Sequence, residues 1–128
     1  MAKQRITIKS LSRARPQRVY DFIVDGLRRQ GKRSMLNSNC VYRRTLKSGE
    51  VLRCAAGLLV SDDEYDESNE GKCWNITTYS ADSGDFKHTD LILALQDVHD
   101  GFTPSLWERQ FKRVANSFGL KYSPAKKK

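Results

Sequence analysis

The chain has 128 residues, of which 38% are hydrophobic and 30% charged, and its formal net charge is +8. This length predicts one domain with a small core, since the apolar content lies above the level at which no core forms. Three cysteines without C-x-x-C spacing argue against a disulfide framework and a zinc ribbon, so reduced thiols in a cytoplasm are expected. The longest apolar run, Ala55 to Val60, is too short to span a membrane, and no secretory signal is recognisable.

The charge is distributed unevenly along the chain. Residues 1–53 hold fourteen basic and three acidic residues, residues 54–108 hold two basic and twelve acidic ones, and residues 109–128 hold seven basic ones. These segments can neutralise one another if they fold together, so the basic excess overstates the attraction to polyanions. We expect the cations that remain, from both ends of the chain, to converge on one surface.

The N-terminal region predicts an arm followed by a helix. Residues 1–14 carry the alternation Arg5-Ile6-Thr7-Ile8-Lys9, which is typical of a short edge strand or a basic arm. Pro16 suits the first turn of a helix, and Gly31 ends it. The apolar residues at helical spacing that form its buried face are Val19, Tyr20, Ile23 and Leu27.

A hairpin and a closely packed joint follow. The β-prone runs at 40–44 and 51–54 flank a polar loop that contains Gly49, which predicts a β-hairpin. The three residues at 55–57 are Ala, Ala and Gly, which are too small to fill a core pocket. They indicate that another segment of backbone approaches closely there.

The second half of the chain predicts one more strand and two helices. At 61–64, Ser and Glu stand three residues apart, the capping-box spacing that marks a helix start. Residues 72–79 suggest a short strand and 81–85 a loop, while Thr89 and Thr103 are expected to cap the last two helices. The predicted buried residues are Leu91, Ile92, Leu95 and Val98 in the first of these helices and Trp107, Phe111, Val114 and Phe118 in the second.

Together these elements predict an α+β fold: an N-terminal helix, a β-hairpin or small antiparallel sheet, and two C-terminal helices. Residues 15–122 are expected to form the single domain. The basic arm or edge strand of residues 1–14 precedes it, and a basic, disordered tail of residues 123–128 follows it.

Several stretches carry a resemblance to known sequences. They are Val19-Tyr20-Asp21, Leu27 to Gly31, Cys40-Val41-Tyr42-Arg43, Cys54 to Asp66, Leu95 to Asp100, and Trp107 with Phe118-Gly119-Leu120. They resemble a family of small proteins of tailed bacteriophages and prophages that share a CAxGxL(I/V)xDxEY segment, over roughly residues 16–122. In that family proline is expected where Ser61 and Glu67 stand here. The resemblance implies a viral origin and a host-cytoplasm setting, and no chemistry.

The candidate metal sites have incomplete patterns. The acids between residues 62 and 70 could hold Mg²⁺ or Ca²⁺, but they lack the glycine and the final glutamate of a calcium loop. Helix capping and pairing with the basic segments explain them better. Zinc would find enough ligands in Cys40, Cys54, Cys73 and either His88 or His99, but structural sites normally use two closely spaced pairs.

Signals for catalysis are equally incomplete. Cys54 would need a base within hydrogen-bonding reach to act as a nucleophile, and neither histidine lies in a recognisable context. A buried, unreactive thiol is the better prediction. Gly57 belongs to no nucleotide-binding motif. We therefore expect no cofactor and no small-molecule substrate, with a metal-dependent enzyme as a minor alternative.

The basic residues, interspersed with aromatic ones, point to nucleic acid. Clustered cations bind phosphates, and because the chain carries no recognition motif, such binding would read phosphates rather than bases. The other interpretation is a solubilising surface that the acidic middle of the chain partly neutralises. The predicted nucleic-acid-binding residues are Arg5, Lys9, Arg13, Arg15, Arg28, Arg29, Lys32, Arg33, Arg43, Arg44, Lys126, Lys127 and Lys128.

The sequence thus predicts a non-enzymatic, phage-encoded accessory protein that binds nucleic acid in the host cytoplasm. The alternative is an inhibitor or modulator of a host enzyme, such as a nucleic-acid-handling protein, and no membrane partner is expected. In that alternative the docking surface consists of Asp62, Asp63, Glu64, Asp66, Glu67 and Glu70.

Overall fold

The computed structural model describes residues 5–36, 39–84 and 87–124, and it has an α+β fold. These residues contain four α-helices and two separate, two-stranded antiparallel sheets. The predicted order of N-terminal helix, hairpin and C-terminal helices is confirmed. The helices are α1 Pro16–Gln30, α2 Thr78–Ser83, α3 Thr89–Gly101 and α4 Trp107–Ser117, and the strands are β1 Met35–Leu36, β2 Asn39–Cys40, β3 Arg43–Thr45 and β4 Val51–Arg53.

Helix α1 forms where the sequence predicted it. Pro16 occupies its first position, and Gly31 ends it with φ 64°, a left-handed conformation that glycine adopts without a side-chain clash. The predicted apolar positions are all buried. The hydroxyl of Tyr20 donates to the backbone oxygen of Phe111 at 2.9 Å, which holds α1 against α4.

Helix α3 contacts both α1 and α4. Its four predicted apolar residues are buried, and so is His99. The predicted cap is wrong, because the N-cap position belongs to His88 and Thr89 is already helical. Packing of the apolar face, rather than a cap, therefore accounts for the position of this helix.

Helix α4 begins later and ends earlier than its sequence pattern predicted. Residues 104–106 form a 3₁₀ turn after Thr103, which makes no capping hydrogen bond, and α4 starts at Trp107. The first three predicted apolar residues are buried, but Phe118 is 39% exposed. It lies beyond the last helical residue, where the chain turns at Gly119 with φ 67°, so its ring leaves the buried face.

The predicted hairpin is β3–β4, in which Arg43 lies opposite Arg53. Its first strand is shorter than predicted because Cys40 pairs with Met35 in a second hairpin, β1–β2. That second hairpin was not predicted, since two residues per strand leave no alternation to recognise.

The small residues after β4 allow close backbone packing, as predicted. A Cβ atom on Gly57 would lie 2.2 Å from the backbone oxygen of Tyr42, so a larger residue would displace the hairpin. Ala55, Ala56 and Cys54 are fully buried. The sulfur of Cys54 accepts the N–H of Gly57 at 3.3 Å, consistent with an unreactive structural thiol.

Residues 5–14 form neither an edge strand nor a projecting arm. The chain makes a turn at residues 8–10 and a 3₁₀ turn at Leu11–Arg13. Ile6, Ile8 and Leu11 are at most 4% exposed, so the alternation correctly marked buried side chains. No described strand pairs with this segment, which packs into the core without a ladder of hydrogen bonds.

The strand predicted at residues 72–79 is wrong. Trp74–Ile76 is a 3₁₀ turn, and α2 begins shortly after it. Trp74 and Tyr79 are both buried and stack with ring centroids 6.3 Å apart. Residues five apart point to opposite faces of a strand, so a strand could not bury both rings on one side.

The loop predicted at 81–85 is shorter than expected. Residues as far as Ser83 belong to α2, and Gly84 ends that helix with φ 64°. Asp85 and residues 125–128 of the predicted tail lie outside the described residues. Among the helices of the described ranges, none has the length and apolar character needed to cross a membrane.

Candidate nucleic-acid interface

The acidic segment, residues 62–70, begins with a turn, and the helix expected there does not form. The carboxylate of Glu64 accepts the N–H of Ser61 at 3.1 Å, as in a capping box. The same carboxylate accepts the N–H groups of Ile8 at 3.1 Å and of Lys9 at 3.3 Å. Glu64 therefore holds the N-terminal segment against the acidic segment.

Hydrogen bonds keep two of these acids ionised. Burial would raise the pKa of Glu64, but the N–H groups of Ser61 and Ile8 outweigh burial and hold the pKa below its usual value. The N–H of Ser68 likewise lowers the pKa of the exposed Asp66, whose carboxylate accepts it at 2.9 Å. Both carboxylates accept backbone N–H groups that would otherwise lack a protein partner.

Glu70 binds the start of the β3–β4 hairpin. It accepts the N–H of Tyr42 at 2.8 Å and that of Arg43 at 3.3 Å. The hydroxyl of Tyr65 donates to the same carboxylate at 2.7 Å. Glu70 thus connects the end of the acidic segment to the backbone against which Gly57 packs.

Asp62 pairs with both strands of that hairpin. Its carboxylate lies 2.9 Å from the guanidinium of Arg43 and 3.0 Å from that of Arg53. Of the six acids predicted as a docking surface, Asp63 and Glu67 alone make no ion pair or side-chain hydrogen bond with the residues that the structure describes. Most of this segment's charge is therefore engaged within the protein.

Several predicted nucleic-acid-binding cations are also engaged internally. Arg28, with 18% of its side chain exposed, makes two hydrogen bonds to Glu108 at 2.8 and 2.7 Å. These bonds lower the pKa of Glu108. Lys32 pairs with Glu50 at 2.9 Å. In addition, Arg33 donates to the carbonyl of Asp100, Arg43 pairs with Asp62, and Arg44 donates to the carbonyl of Met35.

A depression of about 460 Å³ lies beside α1. Three guanidinium groups line it: Arg5 from the N-terminal segment, Arg29 from α1 and Arg53 from β4. Arg5 also donates to the carbonyl of Val60 at 3.2 Å, and Arg53 pairs with Asp62. The other lining residues are Phe22, Gly26, Gln30, Glu50, Val51 and Leu58.

A second depression, of about 150 Å³, is lined by Arg5, Arg13 and Arg18 together with Ile6, Ser10 and Ala14. Arg5 lines both depressions, which therefore adjoin each other. We call the two together the arginine groove, and its arginines are Arg5, Arg13, Arg18, Arg29 and Arg53.

One face of α1 forms a wall of the arginine groove. Arg18, Phe22, Gly26 and Arg29 are spaced by four, four and three residues, which places them on the same side of a helix. At 1.5 Å per residue this wall is about 16 Å long. The groove therefore has room for more than one phosphate in a row.

Three predicted nucleic-acid-binding residues line the arginine groove: Arg5, Arg13 and Arg29. Arg18 and Arg53 line it as well and were missed as site residues, although helical spacing relates Arg18 to Arg29. Lys9 and Arg15 are exposed but line neither depression. Lys126 to Lys128 lie outside the described residues.

Helix α4 carries a separate group of cations. Arg109, Lys112 and Arg113 are exposed and follow helical spacing. Helix α4 lies against the side of α1 that carries Tyr20 and Arg28. The groove is on the side that carries Phe22, so the two groups do not form one surface.

The predicted zinc ligands are only partly brought together. Ligand atoms of Cys40, His99 and Asp100 lie within 4.8 Å of one another. Asp100 was not predicted in this role. Cys73 is exposed, and His88 binds the carbonyl of Ala14 at 2.7 Å, so neither joins this group.

Both ring nitrogens of His99 are occupied. Nε2 accepts the backbone N–H of Ser34 at 2.8 Å, so the ring proton is on Nδ1, which lies 2.7 Å from the Asp100 carboxylate. A metal on Nδ1 would move that proton to Nε2, where it would oppose the N–H of Ser34. Metal-binding histidines instead donate from their second nitrogen.

Cys40 belongs to the same group of side chains as His99 and Asp100. Contact with the thiol of Cys54 and burial raise the pKa of Cys40 above its usual value, so the group stays a thiol. The side-chain amide of Gln96 donates to the Cys40 sulfur at 2.9 Å and to Asp100 at 2.8 Å. These side chains form a hydrogen-bonded network that joins α3 to the hairpins.

Comparisons of the chain with protein-family models, with curated proteins and with solved structures found no match. The resemblance to a phage family therefore stays a prediction.

Proposed function

We propose that this protein binds nucleic acid through the arginine groove, as a non-enzymatic accessory protein of a phage in the host cytoplasm. The observation that carries the proposal is the convergence of five arginines on one groove, from the N-terminal segment, α1 and β4. Guanidinium groups present planar sets of donors that suit phosphate oxygens. Several of them along one groove suit a chain of phosphates better than a single anion.

The charge inside the groove also supports phosphate binding. Arg13 and Arg29 are exposed, and neither side chain makes an ion pair or hydrogen bond with the described part of the chain. The one acid that lines the groove, Glu50, is paired with Lys32. An anion entering the groove would therefore meet two arginines, Arg13 and Arg29, whose charge no acid among the described residues compensates.

Docking of a host enzyme on the acidic segment has weaker support. Four of its six acids bind backbone or side-chain groups of the protein itself, as Glu64 and Glu70 do. A partner would have to break those bonds to use the carboxylates. Asp63 and Glu67 are too few to imitate a run of phosphates.

Fluorescence anisotropy with labelled DNA and RNA tests the proposal. Binding should weaken linearly in the logarithm of salt concentration, and Arg13→Gln with Arg29→Gln should make that dependence shallower. For two lost phosphate contacts, the slope should fall by about 1.4 on a single strand or about 1.8 on a duplex.

The matched control is Lys112→Gln with Arg113→Gln on α4, which removes the same charge outside the groove. If both double variants change the slope equally, binding does not depend on the groove. Undetectable binding of DNA and RNA at low salt would refute the proposed function altogether.

A further inference from the structure

We infer that the arginine groove binds single-stranded nucleic acid, with a base on Phe22 and phosphates on the arginines. This inference rests on the proposed function and specifies its ligand. It goes beyond phosphate binding because the same depression combines cationic and apolar lining residues. Proteins that bind single strands combine the same two elements, a positive groove and an aromatic surface on which bases stack.

The apolar part of the groove is formed by Phe22, Gly26, Val51 and Leu58. Phe22 is only partly buried, so its ring contributes to the surface of the depression. Gly26 is buried, and a Cβ atom there would come within 2.8 Å of the Leu58 side chain. The missing side chain at Gly26 thus lets Leu58 lie close to α1.

A base stacks on an aromatic surface and a phosphate binds cations, and the groove offers both. Stacking on an aromatic ring removes a base from water without requiring specific hydrogen bonds. Arg29 lies on the same face of α1, two turns beyond Phe22, and Arg18 lies one turn before it. A base on Phe22 would therefore have cations on both sides along the helix.

The groove favours a strand over a single nucleotide. The larger depression adjoins the smaller one at Arg5, and the smaller one is lined by Arg13 and Arg18 as well. A mononucleotide would fill one depression and leave the other unused. A duplex keeps its bases stacked inside, so it could use the arginines but not Phe22.

Anisotropy titrations should compare a labelled oligothymidylate with a duplex of equal length. The single strand should bind more tightly, and Phe22→Leu should weaken it by roughly 5- to 100-fold while changing duplex affinity by less than about twofold. Leucine keeps the apolar contact with the core, so this variant should fold. Phe22→Trp should retain binding, and stacking of a base on the new indole should quench its fluorescence. Trp74 and Trp107 are buried, so a change in fluorescence on binding can be assigned to the new tryptophan.

The possible outcomes separate the inference from the proposed function. If Phe22→Leu changes nothing while the Arg13→Gln, Arg29→Gln variant weakens both ligands, the groove binds phosphates only and the single-strand inference is wrong. If thymidine monophosphate competes as strongly as the oligonucleotide, a nucleotide site replaces the strand site. Equal affinity for single strand and duplex would also overturn the inference, with nucleic-acid binding intact.

Discussion

The acidic segment is one dense run of charge in the sequence, whereas the arginines of the groove come from positions between residues 5 and 53, and the two regions also differ in what their charges contact. Glu64 and Glu70 accept backbone N–H groups, and Asp62 pairs with two arginines. Arg13 and Arg29 have no such partners within the described residues. A carboxylate is short and accepts several N–H groups at once, so it stabilises turns, whereas arginines on a helix face extend into solvent.

The largest expected effect on stability comes from the close packing of Gly57 against the backbone of Tyr42. Gly57→Ala would place a Cβ atom against the backbone oxygen of Tyr42 and should destabilise the protein by about 3 kcal/mol or more. Gly101→Ala is the control, since nothing lies within 4 Å of that position. Urea denaturation followed by circular dichroism measures both, and equal stability of the two variants would contradict the packing described.

Glu70→Gln tests whether the acidic segment stabilises the fold. It weakens the three hydrogen bonds that the carboxylate accepts, from the N–H groups of Tyr42 and Arg43 and from the hydroxyl of Tyr65. The free energy of unfolding should fall by about 2 kcal/mol. Glu67→Gln, at an exposed position, should change the free energy of unfolding by less than about 0.5 kcal/mol. If the two substitutions lower the free energy of unfolding equally, Glu70 and Glu67 do not have the separate roles assigned to them.

A smaller effect should appear as a pH dependence. The folded-state pKa of Glu64 is lower than its unfolded value of about 4.3. Its contribution to the free energy of unfolding is therefore fully present above the unfolded pKa and disappears as pH falls through the folded pKa. Free energies of unfolding measured between about pH 6 and pH 3 should therefore fall less steeply in Glu64→Gln than in the wild type. Parallel curves would show that Glu64 does not titrate differently on folding.

The neighbouring arginines of α1 provide the most direct contrast. Arg28→Gln breaks the paired bonds to Glu108 and should cost about 1–2 kcal/mol, whereas Arg29→Gln should stay within about 0.5 kcal/mol of the wild type. In nucleic-acid binding the order should reverse, with Arg29→Gln having the larger effect. Thermal melts measure the stability of each variant and anisotropy measures its affinity, so the same samples test both predicted orders.

The smallest expected effect is that of added metal. Because four of the six acids in residues 62–70 are bonded within the protein and His99 is occupied at both nitrogens, Mg²⁺, Ca²⁺ and Zn²⁺ should leave the melting temperature unchanged. A saturable increase with any of these ions would show that a site binds the metal in preference to its present hydrogen bonds.

Helix periodicity was the reliable signal in the sequence. Val19, Ile23 and Leu27 marked the buried face of α1 correctly, and the same reasoning found α3 and most of α4. Shorter patterns did not predict the correct secondary structure, because tertiary contacts determine the conformation of short segments. Ile6 and Ile8 alternate as in a strand and are buried, yet no described strand pairs with them.

The candidate site was predicted only in part. The sequence marked a surplus of cations, but it could not show that Arg28 is bonded to Glu108 while Arg29 is not, since that depends on the packing of α4. Arg53 joins the groove through the position of β4, which no local pattern encodes. Phe22 was missed because a single aromatic residue beside a core face carries no signal of exposure.

The hydrogen bond from Ser34 to the ring of His99 has a consequence for how the molecule opens. This backbone N–H lies outside the helices, yet its acceptor is a fully buried side chain of α3. Deuterium can replace its hydrogen only when the end of α3 separates from the segment that leads into β1. If the first hairpin and the end of that helix open as one cooperative unit, the exchange rate of this amide should match that of the α3 core amides.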